Sequence, residues 1–245
     1  MSGRCTMATA ARVLRQLRRD RRTVAMLLVI PVALMALMSG VFAGAGGAFQ
    51  RVGVPLLGVF PMTSMFLVTA VTMQRERSSG TLERLMATPI GKFDLVLGYA
   101  LAFGVLAIVQ AVITSVVSFT LLDLEVGGPA WGVVLLAGLN AVLGAAFGLL
   151  VSAFARTEFQ AVQFMPLFLL PQVFLSGLMA PRERMPGVFQ AASTVLPLTY
   201  AYDALRALTV DGALTSTLAR DIAVLGVTTV VALALGAVTL RRRTG

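Results

Sequence analysis

The sequence predicts an all-α integral membrane protein with six transmembrane helices, and three observations carry that prediction. Of its 245 residues, 58% are hydrophobic and 13% charged, with a mean hydropathy of +0.88. A soluble fold of this length must wet its surface and cannot hide so much apolar area. The charges are gathered into clusters separated by long uncharged runs. Six runs reach the roughly 20 residues that a helix needs to cross about 30 Å of hydrocarbon. The basic residues are also biased to one side. With both termini inside, that side holds Arg4, Arg12, Arg15, Arg18, Arg19, Arg21, Arg22, Arg75, Arg77, Arg84, Lys92, Arg156 and Arg241 to Arg243, 15 of the 20. The other side keeps Arg51, Arg182, Arg184, Arg206 and Arg220, so both termini are expected in the cytoplasm of a bacterial plasma (inner) membrane.

The whole chain, 1–245, reads as one membrane domain. Residues 8–22 come first. Ala10, Val13, Leu14 and Leu17 recur at helical spacing among Arg12, Arg15, Arg18, Arg19 and Arg22. This pattern gives an amphipathic interfacial helix, its apolar face in the inner leaflet, acting as an anchor or as a link from a partner to the first span. Spans are expected at Thr23–Ala43, Val54–Met73, Phe93–Leu122, Trp131–Ala155, Phe159–Ala180 and Ile222–Leu240. The first is longer than the 7–15-residue apolar core of a cleavable leader, so it reads as a span. The third is long enough to tilt or to extend beyond the bilayer.

Between the second and third spans lies a charged island, residues 75–91. Arg75, Glu76, Arg77, Glu83 and Arg84 alternate sign around Leu82, Leu85 and Met86. Gly80 at the cap of a helix starting near Thr81 places Glu83 at the third helical position, and Pro89 with Gly91 ends it. The product is a short helix with an apolar ridge and a charged rim, suited to a groove on a partner, with Glu83 and Arg84 fixing register. A solvated loop with local ion pairs of about 0.2–0.5 kcal/mol each has the same composition.

Residues 181–212 are broken by Pro181, Pro186 and Pro197, and segments 188–196 and 199–208 are helix-capable. An extracellular re-entrant helical hairpin that dips to the interface fits, with Tyr200 and Tyr202 at headgroup level and Asp203 paired to Arg206 at i, i+3. It serves either as a gate or as a structural plug. In the fifth span Phe164, Met165, Phe168, Phe174 and Met179 accompany Pro166 and Pro171, a soft aromatic wall for cargo or a lipid-packing face.

Several chemistries are excluded by inventory. Histidine is absent and Cys5 is the single cysteine, which removes a His/Cys metal site and an internal disulfide. Lys92, the single lysine, lacks the glycine and hydroxyl of a phosphate-binding loop, so no ATP site, catalytic group or other cofactor is assigned to this chain. Ionisable groups are missing from mid-span, which disfavours an ion-coupled carrier. The polar span residues Thr63, Ser64, Thr69, Thr72, Gln110, Thr114, Ser115, Asn140, Gln160, Gln163 and Gln172 are expected mostly to join helices. Basic residues beside apolar spans point to lipid headgroups, not nucleic acid.

Two motifs carry a family resemblance. Glu76-Arg77-Ser78-Ser79-Gly80-Thr81-Leu82-Glu83-Arg84-Leu85, followed by Thr88-Pro89, resembles the first cytoplasmic loop of type-2 ATP-binding-cassette (ABC) exporter permeases, in the branch with daunorubicin/doxorubicin-resistance permeases. Phe174-Leu175-Ser176-Gly177, Pro181-Arg182-Glu183-Arg184-Met185-Pro186 and Leu196-Pro197-Leu198-Thr199-Tyr200, ending Asp203-Ala204-Leu205-Arg206, is similar to the same family's signature around its fifth span and outer hairpin. The resemblance implies that 75–91 is the coupling helix, docking a separate ABC ATPase that supplies ATP and Mg. It further implies a pair of permease chains, outward drug-like or lipid-like cargo, and a gate including Pro197, Tyr200, Tyr202, Asp203 and Arg206. The rival from another class is a membrane scaffold or assembly subunit of an envelope complex, which needs no ATPase.

Overall fold

The computed structural model describes residues 2–44, 47–88, 90–210 and 216–239; the side chains of Glu83, Val210 and Ser216 are not described. Every regular element among them is a helix: α1 (Gly3–Arg19), α2 (Arg21–Phe42), α3 (Ala48–Ser78), α4 (Thr81–Met86), α5 (Lys92–Thr120), α6 (Ala130–Ser152), α7 (Glu158–Leu175), a single 3-10 turn (Arg182–Arg184), α8 (Gly187–Ser193), α9 (Pro197–Val210) and α10 (Ser216–Thr239). Five are long and apolar enough to cross a membrane: α2, α3, α5, α6 and α10. The expected fifth span, 159–180, becomes α7. It is cut short where Gly177 turns at φ 102° and diluted by Gln160, Gln163 and Gln172. The expected Leu240 and Arg241 to Arg243 lie outside the described residues.

α3 and α6 form the centre of the bundle. Their apolar windows are 67% and 72% buried, against 17% for α2 and 28% for α10. Without a hydrophobic force between helices in lipid, association depends on close backbone packing. Gly144 and Gly148 on one face of α6 supply it. A Cβ on Gly144 would lie 2.2 Å from the Met62 carbonyl oxygen, and one on Gly148 2.5 Å from that of Phe66. On the same pair of helices Gly58 leaves room for Asn140 and Leu205, whose atoms lie 2.7 and 2.6 Å from where its Cβ would be.

α2 is pinned by a different device. Pro31 has no N–H, which orphans the carbonyl of Leu27 one turn earlier. Gln110 of α5, wholly buried, donates its side-chain amide to that carbonyl at 2.8 Å. In lipid no water can replace the missing donor. Other polar span residues behave unlike the expectation: Thr63, Ser64 and Gln172 bond back to carbonyls of their own helix. A hydroxyl or amide that reaches its own i−4 carbonyl needs no neighbour.

α1 corrects the expected interfacial helix in both bounds and burial. It runs from Gly3 to Arg19, not over 8–22, because Asp20 (φ −86°, ψ 73°) breaks the helix and caps α2, accepting from the Thr23 N–H and hydroxyl at 3.2 and 2.6 Å. Those donors hold the half-buried Asp20 carboxyl below the usual carboxylate range, so the cap is intact at neutral pH and is lost on acidification through that depressed value. Its apolar face is not turned to lipid. Ala10, Val13 and Leu17 are buried against the first turns of α5 and the core beneath α4. Gly98 permits the approach, since a Cβ there would meet Thr9 at 2.5 Å.

At the opposite end the loop 121–129 is clamped to the start of α3. Gln50 donates to the Asp123 carbonyl at 2.9 Å and accepts from the Glu125 N–H at 2.8 Å.

Two substitutions test this framework by detergent thermal unfolding. Gln110→Leu keeps the volume but orphans the Leu27 carbonyl, and is expected to cost about 1–2 kcal/mol. Gly144→Ala forces α3 and α6 apart and is expected to cost about 1–3 kcal/mol, whereas Gly40→Ala, in open space, should leave the transition unmoved.

Candidate functional site

Two polar clusters occupy opposite ends of α3. At its C-terminal end, α3 continues as one helix through Arg75, Glu76 and Arg77 before Ser79 and Gly80 (φ 70°) turn the chain into α4. Glu76 is buried, at 4% exposure, and meets Arg12 of α1 at 3.5 Å. Arg12 also donates to the Tyr99 hydroxyl of α5 and lies 5.6 Å from that ring's centre. Three helices are thus joined by one guanidinium. Arg75 forms a two-pronged pair with Glu158, at the start of α7, at 3.1 Å for both bonds. Arg77 is half-buried. A polar hollow of about 290 Å³ lies between Gln16, Asp20, Thr72, Glu76 and Thr81.

α4 corrects the expected apolar ridge. Leu82 and Met86 are buried in the chain's own core with Met73, Leu95 and Tyr99, and Leu85 packs against it. The short helix needs that burial, because six residues do not hold helical form alone. The surface it leaves is Arg84, Ala87 and Thr88, beside Thr81, whose hydroxyl sits 3.0 Å from that of Ser79. The side chain of Glu83 and the whole of Pro89 lie outside the described residues.

At the other end, Arg182 in the 3-10 turn pairs with Asp203 of α9 at 2.6 Å. This replaces the expected Asp203–Arg206 pair. Burial of the Asp203 carboxyl pushes it above its ordinary value, and the Arg182 guanidinium opposes the shift. Arg206 instead faces a polar cavity of about 720 Å³ shared with Gln50, Arg51, Glu125, Glu183 and Tyr202. Gly177 is essential to its wall, since its positive φ and the Tyr202 ring, 3.0 Å from where a Cβ would be, leave no space for a side chain. Tyr200 donates to the Thr194 carbonyl at 2.6 Å, closing the α8–α9 corner, and Arg220 stacks on its ring. Pro197 is buried as the first residue of α9, where its missing N–H has no helical partner to lose.

The aromatic residues of α7 divide. Phe168 lies 4.7 Å edge-on from Phe147 and 6.0 Å from Phe66, which makes it the link of α7 to α3 and α6. Phe164 and Met165 pack against the same core. Phe174 is exposed, with Phe159, Leu167 and Leu170. That outer face carries a groove of about 800 Å³ in which Arg156, Gln160 and Gln163 adjoin Phe154, Phe164 and Leu167.

Arg12, Tyr99, Glu158, Arg182 and Gly177 escaped the sequence reading as site residues. Arg12 interrupts the apolar stripe of α1 at a position facing its core, a signal the pattern did contain. Glu158 and Tyr99 gave none, because their partners come from distant segments.

Long apolar helices locked by glycine contacts, with polar clusters at both ends, define a multi-pass α-helical membrane protein. The model of the ABC-2 type transporter family matches residues 4–210, and the chain belongs to that family. It is similar to the probable multidrug ABC transporter permease YbhR of Escherichia coli (strain K12), 27% identical over 151 residues covering 60% of this chain and 40% of that protein. The linearmycin resistance permease protein LnrN of Bacillus subtilis (strain 168) is 28% identical over 155 residues, 63% of this chain and 40% of the relative. Nodulation protein J of Rhizobium meliloti (strain 1021) is 29% identical over 147 residues, 58% and 54% respectively. The matched stretch thus spans about two fifths of the Escherichia and Bacillus proteins and about half of the Rhizobium one.

Removing Arg12 while leaving Glu76 buried is expected to be costly. Arg12→Ala should destabilise by about 2 kcal/mol, and Glu76→Gln in the same background should restore part of it, measured by thermal unfolding in detergent. A double-mutant cycle on the half-exposed Arg182 and Asp203 should give a coupling of about 1 kcal/mol or less.

Proposed function

We propose that the chain is the membrane-spanning permease subunit of an ATP-driven exporter in a bacterial inner membrane. In this reading α7 crosses the bilayer as the fifth of six spans, both termini are cytoplasmic, and α4 is the coupling helix. A separate ABC ATPase binds and hydrolyses ATP with Mg and docks on the surface around Arg84 and Thr88. Family membership supports the reading, and one observation carries it: the segment 75–88 is tied to three helices at once, through Glu76–Arg12–Tyr99 and Arg75–Glu158. A force applied to α4 therefore reaches α1, α5 and α7 through polar contacts.

A pair of permease chains encloses the pathway. The exposed face of α7 supports this, because glutamines and an arginine beside apolar side chains are poorly placed against hydrocarbon and well placed against a second chain or an amphiphilic cargo. Cargo is a hydrophobic or amphiphilic small molecule or a lipid-like one, and the hairpin with Pro197, Tyr200, Tyr202, Asp203 and Arg206 gates its exit.

The test is purification of the tagged chain from native membranes in mild detergent, with partners identified by mass spectrometry. A stoichiometric protein with a nucleotide-binding loop is expected, and Glu83→Arg should release it while the permease still inserts. Recovery without any ATPase would overturn the proposal in favour of a membrane scaffold.

A further inference from the structure

We propose that the elbow between α1 and α2 is a binding site for an anionic phospholipid headgroup. Arg15, Arg18, Arg19 and Arg21 surround a single depression of about 450 Å³ at the bend made by Asp20. No salt bridge joins any of the four to a carboxylate among the described residues. Arg15 spends one N–H on the Ala11 carbonyl of its own helix. Asp20, the carboxylate nearest in sequence, is committed to Thr23. Four guanidiniums gathered without a counter-ion repel one another, and a multiply accepting anion relieves that repulsion through short charge-assisted bonds.

Three features identify the anion as a lipid's. Arg21 and Arg22 are the first residues of a helix apolar enough to span, so the depression sits at headgroup level. Within the next turns of α2, Met26, Val29 and Ile30 are exposed, at 62, 60 and 48%. That face offers an acyl chain a track leading away from the arginines. The third feature is the packing of α1. Ala10, Val13 and Leu17 are buried against α5 and the core, so those side chains are not available to the bilayer. In this proposal the arginines make the main contact with the membrane, and a bound headgroup fixes the angle between α1 and α2. An acidic protein surface would match the charge but not the apolar track.

Native mass spectrometry of the full chain in mild detergent, titrated with phosphatidylglycerol or phosphatidylcholine, tests this. Phosphatidylglycerol is expected to be retained in preference, and the preference should shrink as ionic strength rises. Arg18→Gln/Arg19→Gln should weaken retention roughly tenfold or more, at about 1 kcal/mol per arginine, while Arg51→Gln/Arg184→Gln, an equal charge loss at the other end, should not. Equal retention of the two lipids, or equal loss in both double variants, overturns the site. Displacement of the lipid by excess inorganic phosphate with no salt effect would make it a free-anion site instead. Loss of a co-purifying protein from the Arg18/Arg19 variant, with lipid retention unchanged, would make it a protein-docking surface and overturn the proposal.

Discussion

The closeness of α3 to α6 is the constraint on which the rest of the molecule depends. In water a bundle is driven together by burial of apolar surface, but in lipid that force is nearly absent, and backbones must approach closely enough for dispersion to act. Gly144 and Gly148 let α6 rest on the carbonyls of Met62 and Phe66. Three helices are placed against this pair: α9 enters through the space beside Gly58, α7 through Phe168 between Phe66 and Phe147, and α10 along α6.

α1 and α2 are each attached by a polar bond in addition to a narrow buried stripe. α2 is mostly exposed, and its fixed point is the Gln110 amide on a carbonyl freed by Pro31. α1 is held by Arg12 to Glu76 and Tyr99 and by a glycine-permitted contact at Gly98. Such single bonds locate an element without making it immobile.

The class and the order of the long apolar segments were legible in the sequence because they depend on composition and run length, whereas five of the six expected spans are long and apolar enough to cross a membrane, α7 being the shortfall. Their bounds were less so: α3 extends through Arg75 to Ser78, since a helix does not stop where hydrophobicity stops. The polar clusters were half visible. Glu76, Arg182 and Asp203 stood out as charges, but which charges meet is decided by tertiary contacts between residues 21 to 83 positions apart. Local spacing suggested Asp203 with Arg206 and the fold chose Arg182. Likewise the ridge of Leu82 and Met86 read as a partner-facing surface because amphipathicity says only that one face is buried, not in what. The glycine pair of α6 was present as a four-residue repeat of small residues, and its meaning emerges only when the facing carbonyls are known.

α3 is a continuous helix of 31 residues, gripped by the loop clamp at Gln50 and by Arg12 at Glu76, with the α6 contact between them near Phe66. At 1.5 Å per residue the 26 residues from Gln50 to Glu76 span about 39 Å. One unbroken helix therefore carries both polar clusters at its ends, and its middle rests on α6 along Gly58, Met62 and Phe66. The two clusters share a backbone, so neither end of α3 can be repositioned independently of the seat between them.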